Sequence, residues 1–243
     1  FIRLIDKNGL TAVKSKLSIE DKNKALLIHL GADIPENIPS PEMRFDMAIK
    51  RKYFPFAVPA ALIPVKGHKY LIEAAVLLKK RGIDDFRFLC FGDGKLKTEL
   101  SSLAKSLGVD RQVKFCGSID NKKLLEMYKD SEIFAAVLPS VDLGDNLHEG
   151  IPVALMEAMA NALPAVSTNT GGIHELLGQT QGLLLPEKLP EALADAVERL
   201  ITDRDFYIKS AAKCFDIAKN EFNNLKNTEL LLKTIIKSIN GGF

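Results

Sequence analysis

The chain has 243 residues, 47% of them apolar, 26% charged and 7% aromatic, the profile of a globular protein long enough for one large domain or two small ones. Its 33 Lys and Arg stand against 31 Asp and Glu, and a formal charge of +2 is too even for a nucleic-acid-binding face, so no nucleic-acid partner is expected. The longest apolar run, residues 54–65, is broken by Pro55, Pro59 and Pro64 and falls short of the roughly 20 residues a bilayer-spanning helix needs.

In chain order, residues 10–13 and 25–30 are short apolar runs around the charged segment 14–24 and look like the tail of another domain. Residues 34–52, rich in Pro and polar side chains, read as a linker, with Lys50, Arg51 and Lys52 as its solvated end. A first strand is expected over 54–62, ragged or partly at an edge because Pro55 and Pro59 each delete a ladder donor. Tyr70, Leu71, Ala74, Ala75 and Leu78 then make a helical stripe that ends in Lys79, Lys80 and Arg81, with Gly82 as the left-handed stop. Residues 86–91 (FRFLCF) read as a buried strand, 92–94 as its turn, and Leu96, Leu100, Leu103 and Leu107 as the next helix. Further strands are expected over 113–115, 133–138, 165–167 and 182–185, and helices near 122–128, 152–161 and 189–202. After Asp203 a tract without Gly or Pro reaching Ile239 predicts one or two helices across the outside. This alternation defines an α/β chain with a parallel sheet flanked by helices.

The chain opens at Phe1 with neither an initiator Met nor a secretory signal pattern and reads as a fragment. Cys90, Cys116 and Cys214 are odd in number and lack CxxC spacing, so buried thiols in a reducing compartment are expected rather than disulfides or zinc ligands. His29, His68, His148 and His174 show no metal-ligand spacing, and no metal and no other cofactor is predicted.

Residues 148–160, HEGIPVALMEAMA, carry the most chemistry. Pro152 suits the first turn of a helix, which would aim the free amides of about residues 151–154 into the preceding loop and so attract phosphate. Glu149 falls just outside that helix mouth and Glu157 more than one turn inside, at most roughly 12 Å apart. A nucleotide diphosphate sugar has the matching layout, an anionic centre with hydroxyl-rich sugars on either side. An amphipathic helix with an exposed Glu at each end is the plainer alternative.

EGIPVALMEAMA resembles the E-x7-E segment of the family 4 (group 1) retaining glycosyltransferases, whose GT-B fold sets two Rossmann-like domains across a cleft. Other segments resemble that family in the same order: PVKGH at 64–68, FGDG at 91–94, VKFCG at 113–117 and PAVSTNTGGIHEL at 164–176, with IHLGADI at 28–34 like its interdomain crossover. The wording around Glu149 and Glu157 is closest to bacterial enzymes building exopolysaccharides such as colanic acid. The resemblance implies that residues 1–49 are the end of an N-terminal domain and the linker, and that 50–243 are the C-terminal, nucleotide-sugar-binding Rossmann-like domain. It implies Lys66 and Glu149 as catalytic residues, Lys66 on the donor diphosphate and Glu149 on the donor hexose. It further implies Glu157 on the ribose hydroxyls, the amides around Gly150, Ile151, Pro152 and Val153 as the phosphate cradle, and the main chain at Ser118 and Ile119 facing the base. The implied activity is transfer of a hexose from a UDP- or GDP-sugar to a glycan or lipid-linked acceptor bound by the N-terminal domain. A cytoplasmic location is implied, with peripheral contact at the inner face of the plasma membrane an open alternative.

Two positions depart from the family pattern. Ala61 stands five residues before Lys66, where the family usually carries an Arg that grips phosphate, and His174 replaces a usual Pro. Ala61 is the main support for an alternative reading, a degenerate non-catalytic module that binds nucleotide-sugar or a partner. A sugar-nucleotide epimerase is a third reading that fits the E-x7-E helix less well.

Overall fold

A computed structural model describes residues 1–145 and 147–240. The first strands, β1 (Ile2–Leu4) and β2 (Ala25–Leu27), pair in parallel around helix α1 (Lys7–Lys14), whose N-cap Asp6 accepts from Gly9 N. Thereafter the chain runs α2 (Pro41–Arg51), β3 (Phe54–Pro59), α3 (His68–Lys80), β4 (Phe86–Phe91), α4 (Lys97–Ser106), β5 (Val113–Gly117) and α5 (Asn121–Lys129). It continues through β6 (Ala135–Leu138), α6 (Val153–Ala160), β7 (Ala165–Thr168), α7 (Ile173–Leu177), β8 (Leu184–Leu185), α8 (Pro190–Thr202), α9 (Arg204–Glu221) and α10 (Asn224–Ile239).

Strands β3 to β8 form one parallel sheet in the order β5-β4-β3-β6-β7-β8. The chain starts in the middle, builds outward to β5, then returns to lay β6 on the other side of β3. That reversal opens a crevice above the carboxyl ends of β3 and β6, where ligands of doubly wound sheets bind.

Strand β3 is central, which corrects the ragged or edge strand expected from its prolines. The amides of Phe54 and Ala60 bond to Asp85 O and Phe91 O on the β4 side, so the odd positions face β6. Pro55 and Pro59 therefore both put their missing donors toward β6, whose register with β3 covers only Phe56 and Ala57 between them. The prolines shorten one ladder and leave the other whole.

The expected linker over 34–52 is a second correction, because residues 41–51 form α2. Ser40 caps it by accepting from Met43 N, Pro41 occupies the first turn, and Lys52 ends it at φ 62°. Its buried face is Arg44, Phe45 and Ala48, which pack against β3 and α9. Phe45, Phe54, Phe56, Phe134 and Tyr207 meet in one aromatic cluster; Phe134 and Tyr207 stack at 4.2 Å, and Tyr207 donates its hydroxyl to Phe134 O at 2.8 Å. Arg44 is buried and, among the described residues, pairs with no carboxylate. It donates to Tyr128 O and, at 2.8 Å, to Asn161 O, so the carbonyl ends of α5 and α6 offset its charge. Arg51, expected in solvent, reaches Ser131 O and Glu132 O at 3.2–3.3 Å.

Of the three cysteines, Cys90 and Cys214 are buried, and burial pushes the Cys214 thiol up to about 12. Cys116 is exposed, because it takes an outward position on the edge strand β5. The tract after Asp203 forms two helices, α9 and α10. Among the described residues no helix is long and apolar enough to cross a membrane.

Candidate functional site

The turn after β3 and the loop after β6 meet over the crevice. Residues 64–66 form a short 3-10 turn closed by Gly67, which has φ +65°; a Cβ there would lie 1.8 Å from Pro139 O. Glycine is thus required for the two loops to touch, and Val141 N donates to Val65 O at 2.9 Å beside that contact. The approach carries Lys66 across to Glu149, and their side chains form an ion pair with 20% and 14% of each exposed. Ser140 Oγ donates to the same Glu149 Oε2 at 3.2 Å, while Thr168 Oγ1 holds Ser140 O from β7.

Glu149 is held from below by the turn after β7. Gly172 N donates to Glu149 O at 3.2 Å, and a Cβ on Gly171, at φ +53°, would lie 1.7 Å from that oxygen. His148 is exposed, with Nδ1 3.0 Å from the same carbonyl.

The helix expected to begin near Pro152 starts at Val153, with Pro152 as its N-cap; the ring fixes φ at −75° with ψ at 115°, extended. Its carbonyl accepts from Leu155 and Met156. Among the described residues none accepts from the amides of Gly150, Ile151, Val153 or Ala154, so this helix mouth presents unpaired N–H groups and the positive end of its dipole.

Glu157 lies one turn farther on, away from Lys66 and Glu149. Its Oε1 accepts from Asn121 Nδ2 at 2.9 Å, and both residues line a cavity of about 250 Å3 with Phe91, Ile119, Leu124, Ala154 and the strand end Pro59–Ala61. The predicted residues therefore fall in two connected places. Lys66 and Glu149 sit at the crevice, Glu157 and Ile119 at the cavity, and the α6 mouth runs between them. Ser118 is exposed on the loop beside Ile119 and does not line the cavity. Ala61 does, exposed on the cavity rim.

Sequence reasoning missed Ser140 and Asn121. Ser140 follows the LP at a strand end, and Asn121 follows a helix-capping Asp120, positions where polar residues are ordinary turn chemistry. No residue spacing marks either as part of a site.

His68, the first residue of α3, is 2% exposed, and among the described residues neither ring nitrogen has a hydrogen-bond partner. Burial first, and nearby Lys66 second, push its pKa down to about 4. Among the described residues no group of three or more His, Cys, Asp or Glu is placed to hold a metal ion.

The sheet reverses its strand order under a helix mouth with unpaired amides, a lysine and two carboxylates, the architecture of a doubly wound α/β protein. Residues 39–221 match the family model of the glycosyl transferases group 1, and the chain belongs to that family. AmsK of Erwinia amylovora, an amylovoran biosynthesis glycosyltransferase, is 37% identical over 142 residues, which cover 58% of this chain and 34% of AmsK. WcaL of Escherichia coli strain K12, which carries the name of a colanic acid biosynthesis glycosyltransferase, is 38% identical over 148 residues, or 59% of this chain and 36% of WcaL. The matched region thus spans about a third of these relatives. The HepE protein of Anabaena, solved with UDP, superposes with a TM-score of 0.78 at 20% identity over 98% of this chain and 64% of that one, and its fold is the GT-B kind.

Proposed function

We propose that this chain is the donor-binding part of a retaining glycosyltransferase that moves a hexose from a nucleotide diphosphate sugar to a glycan or lipid-linked acceptor in bacterial exopolysaccharide or lipopolysaccharide synthesis. Residues 50–243 form the donor lobe in this reading, joined by α2, which packs against β3 and α9, and the residues before α2 close an N-terminal lobe that carries the acceptor. The observation that carries it is the Lys66–Glu149 pair at the strand-order reversal, beside the unpaired amides of the α6 mouth.

In this reading the diphosphate lies over the amides of Gly150, Ile151 and Val153, where the helix end contributes roughly half a positive charge. Lys66, now paired with Glu149, turns to the phosphate oxygens as charge builds on the departing nucleotide. Glu149, oriented by Lys66 and Ser140, accepts from the hexose hydroxyls and fixes the anomeric carbon. Glu157 accepts from the ribose, and the main chain at Ser118 and Ile119 meets the base. In this reading retention follows attack from the face the phosphate leaves, and the E-x7-E motif supplies no second carboxylate to serve as a glycosidase-type nucleophile. No metal enters this scheme. UDP is the first nucleotide to test, since HepE was solved with it, and GDP the second.

The test is calorimetric titration of the chain with UDP, GDP, ADP and their hexose conjugates, which needs no acceptor. Binding abolished by Lys66→Ala, and weakened by Glu149→Ala for the hexose conjugates, supports the reading. Silence across the panel overturns it in favour of a non-catalytic interaction module, the reading that Ala61 on the cavity rim favours. Restoring Arg at position 61 in a chain carrying both lobes, with no transfer from any donor, would point the same way.

A further inference from the structure

Glu149 and Glu157 are held in different ways. Glu149 has a cationic partner in Lys66. Glu157, among the described residues, has none, and its one side-chain partner is the neutral amide of Asn121 at 2.9 Å. Asn121 is itself rigidly placed: it is the first residue of α5, and Asp120 before it caps that helix by accepting from Lys122 N at 2.9 Å. Helices α5 and α6 pack on each other, so the Asn121–Glu157 bond spans two fixed elements.

An amide differs from an ammonium in what it leaves over. Lysine would neutralise the carboxylate, whereas one neutral amide N–H occupies one lone pair on Oε1, leaves the shared charge uncompensated and leaves Oε2 free to accept. An anionic oxygen at the polar end of a cavity walled by Phe91, Ile119, Leu124 and Ala154 suits a ligand with a flat apolar ring and neighbouring hydroxyl donors. A ribonucleoside has both, and a deoxyribonucleoside lacks one of the donors.

We propose that Asn121 is a positioning residue for the donor nucleoside: it pins one oxygen of Glu157 so that the other meets the ribose hydroxyls, and so makes the site select ribo- over deoxyribonucleotides. This rests on the donor-site reading above and deepens it. Asn121 acts through Glu157 and needs no contact with the reacting atoms.

The test measures dissociation constants of UDP and GDP and of their 2′-deoxy counterparts by calorimetry on the whole chain, for the parent, Asn121→Ala, Asn121→Asp and Glu157→Ala. The parent prefers the ribonucleotide about tenfold or more, the loss expected for one hydrogen bond to a charged acceptor. Asn121→Ala weakens the ribonucleotide about tenfold while the deoxynucleotide changes less than about threefold, so that discrimination collapses. Asn121→Asp, isosteric but repelling Glu157, loses at least as much, and Glu157→Ala loses discrimination outright. Asn121 is on the surface, so a shared melting temperature separates this effect from misfolding. Equal loss for both nucleotides in Asn121→Ala, or discrimination retained, overturns the role of Asn121 and leaves the donor site standing. A parent chain that binds no nucleoside diphosphate overturns both.

Discussion

His29 Nε2 lies 3.1 Å from Glu175 Oε2, joining the segment after β2 to helix α7 across 146 residues of sequence. The other carboxylate oxygen, Oε1, accepts from Lys7 N at the start of α1 at 2.7 Å, and only 1% of the Glu175 side chain is exposed. His29 also lies against Phe222, centroid to centroid 4.7 Å. Glu175 belongs to the same turn and helix whose Gly171 and Gly172 support Glu149, so the N-terminal segment is fastened to the framework of the donor loop.

Glu175→Ala removes both bonds, taking from the half-buried His29 ring and from the Lys7 amide at the start of α1 the acceptor they share. A loss of about 2–4 kcal/mol in urea unfolding is expected. Hydrogen exchange should rise first at residues 7–14. Protection there unchanged would mean that α1 is held by its own packing with β1 and β2.

Arg44 should be irreplaceable by lysine. Its fork spans the carbonyls of Tyr128 and Asn161, and a single ammonium reaches one of them. Arg44→Lys is expected to cost about 1–3 kcal/mol and Arg44→Met about 2–5 kcal/mol, since the methionine strands both helix-end carbonyls. Equal stability of the methionine variant would show that water replaces the guanidinium.

His68 predicts a limb of acid sensitivity. Its folded pKa is about 4 against an ordinary 6.5, so the folded state favours the neutral ring. The contribution is fully present above pH 6.5 and is lost as pH falls from 6.5 to 4, where the unfolded chain takes up the proton first. The shift is worth about 3 kcal/mol. His68→Leu should flatten that limb in urea unfolding measured from pH 7 to pH 4, and an unchanged slope would assign it to other groups.

Lys66 and Glu149 should couple. In a double-mutant cycle of Lys66→Met and Glu149→Gln, read as affinity for the nucleotide sugar, a coupling of about 1–3 kcal/mol is expected. Additive losses would place the two residues on separate parts of the ligand with no communication.

Much of the sheet was legible because a parallel strand buried on both faces writes itself as a short apolar run. β6 and β7 are buried throughout, FRFLCF at 86–91, buried at alternate positions, became β4 residue for residue, and the helix stripe from Tyr70 to Leu78 became α3 with Gly82 left-handed behind it at φ +81°. α2 was missed for a local reason: the Pro-rich approach hides Phe45 and Ala48, and Arg44, the residue that most needs burial, looks like a solvent residue in the sequence. The centrality of β3 was missed because a proline removes a donor from one side only, and which neighbour loses it depends on the register.

What the sequence by itself determined is most of the alternation of strands and helices from β3 onward, the family and the residues that carry charge near the α6 mouth, since periodicity, capping and motif wording are local properties. Tertiary structure alone decided which of those charges meet. Lys66 and Glu149 are 83 residues apart and Asn121 and Glu157 are 36 apart, and each pair exists only because β6 is laid beside β3 and α5 beside α6. An ion pair or a hydrogen bond depends on ångströms between side chains, and spacing along the chain carries no such distance once the strand order reverses.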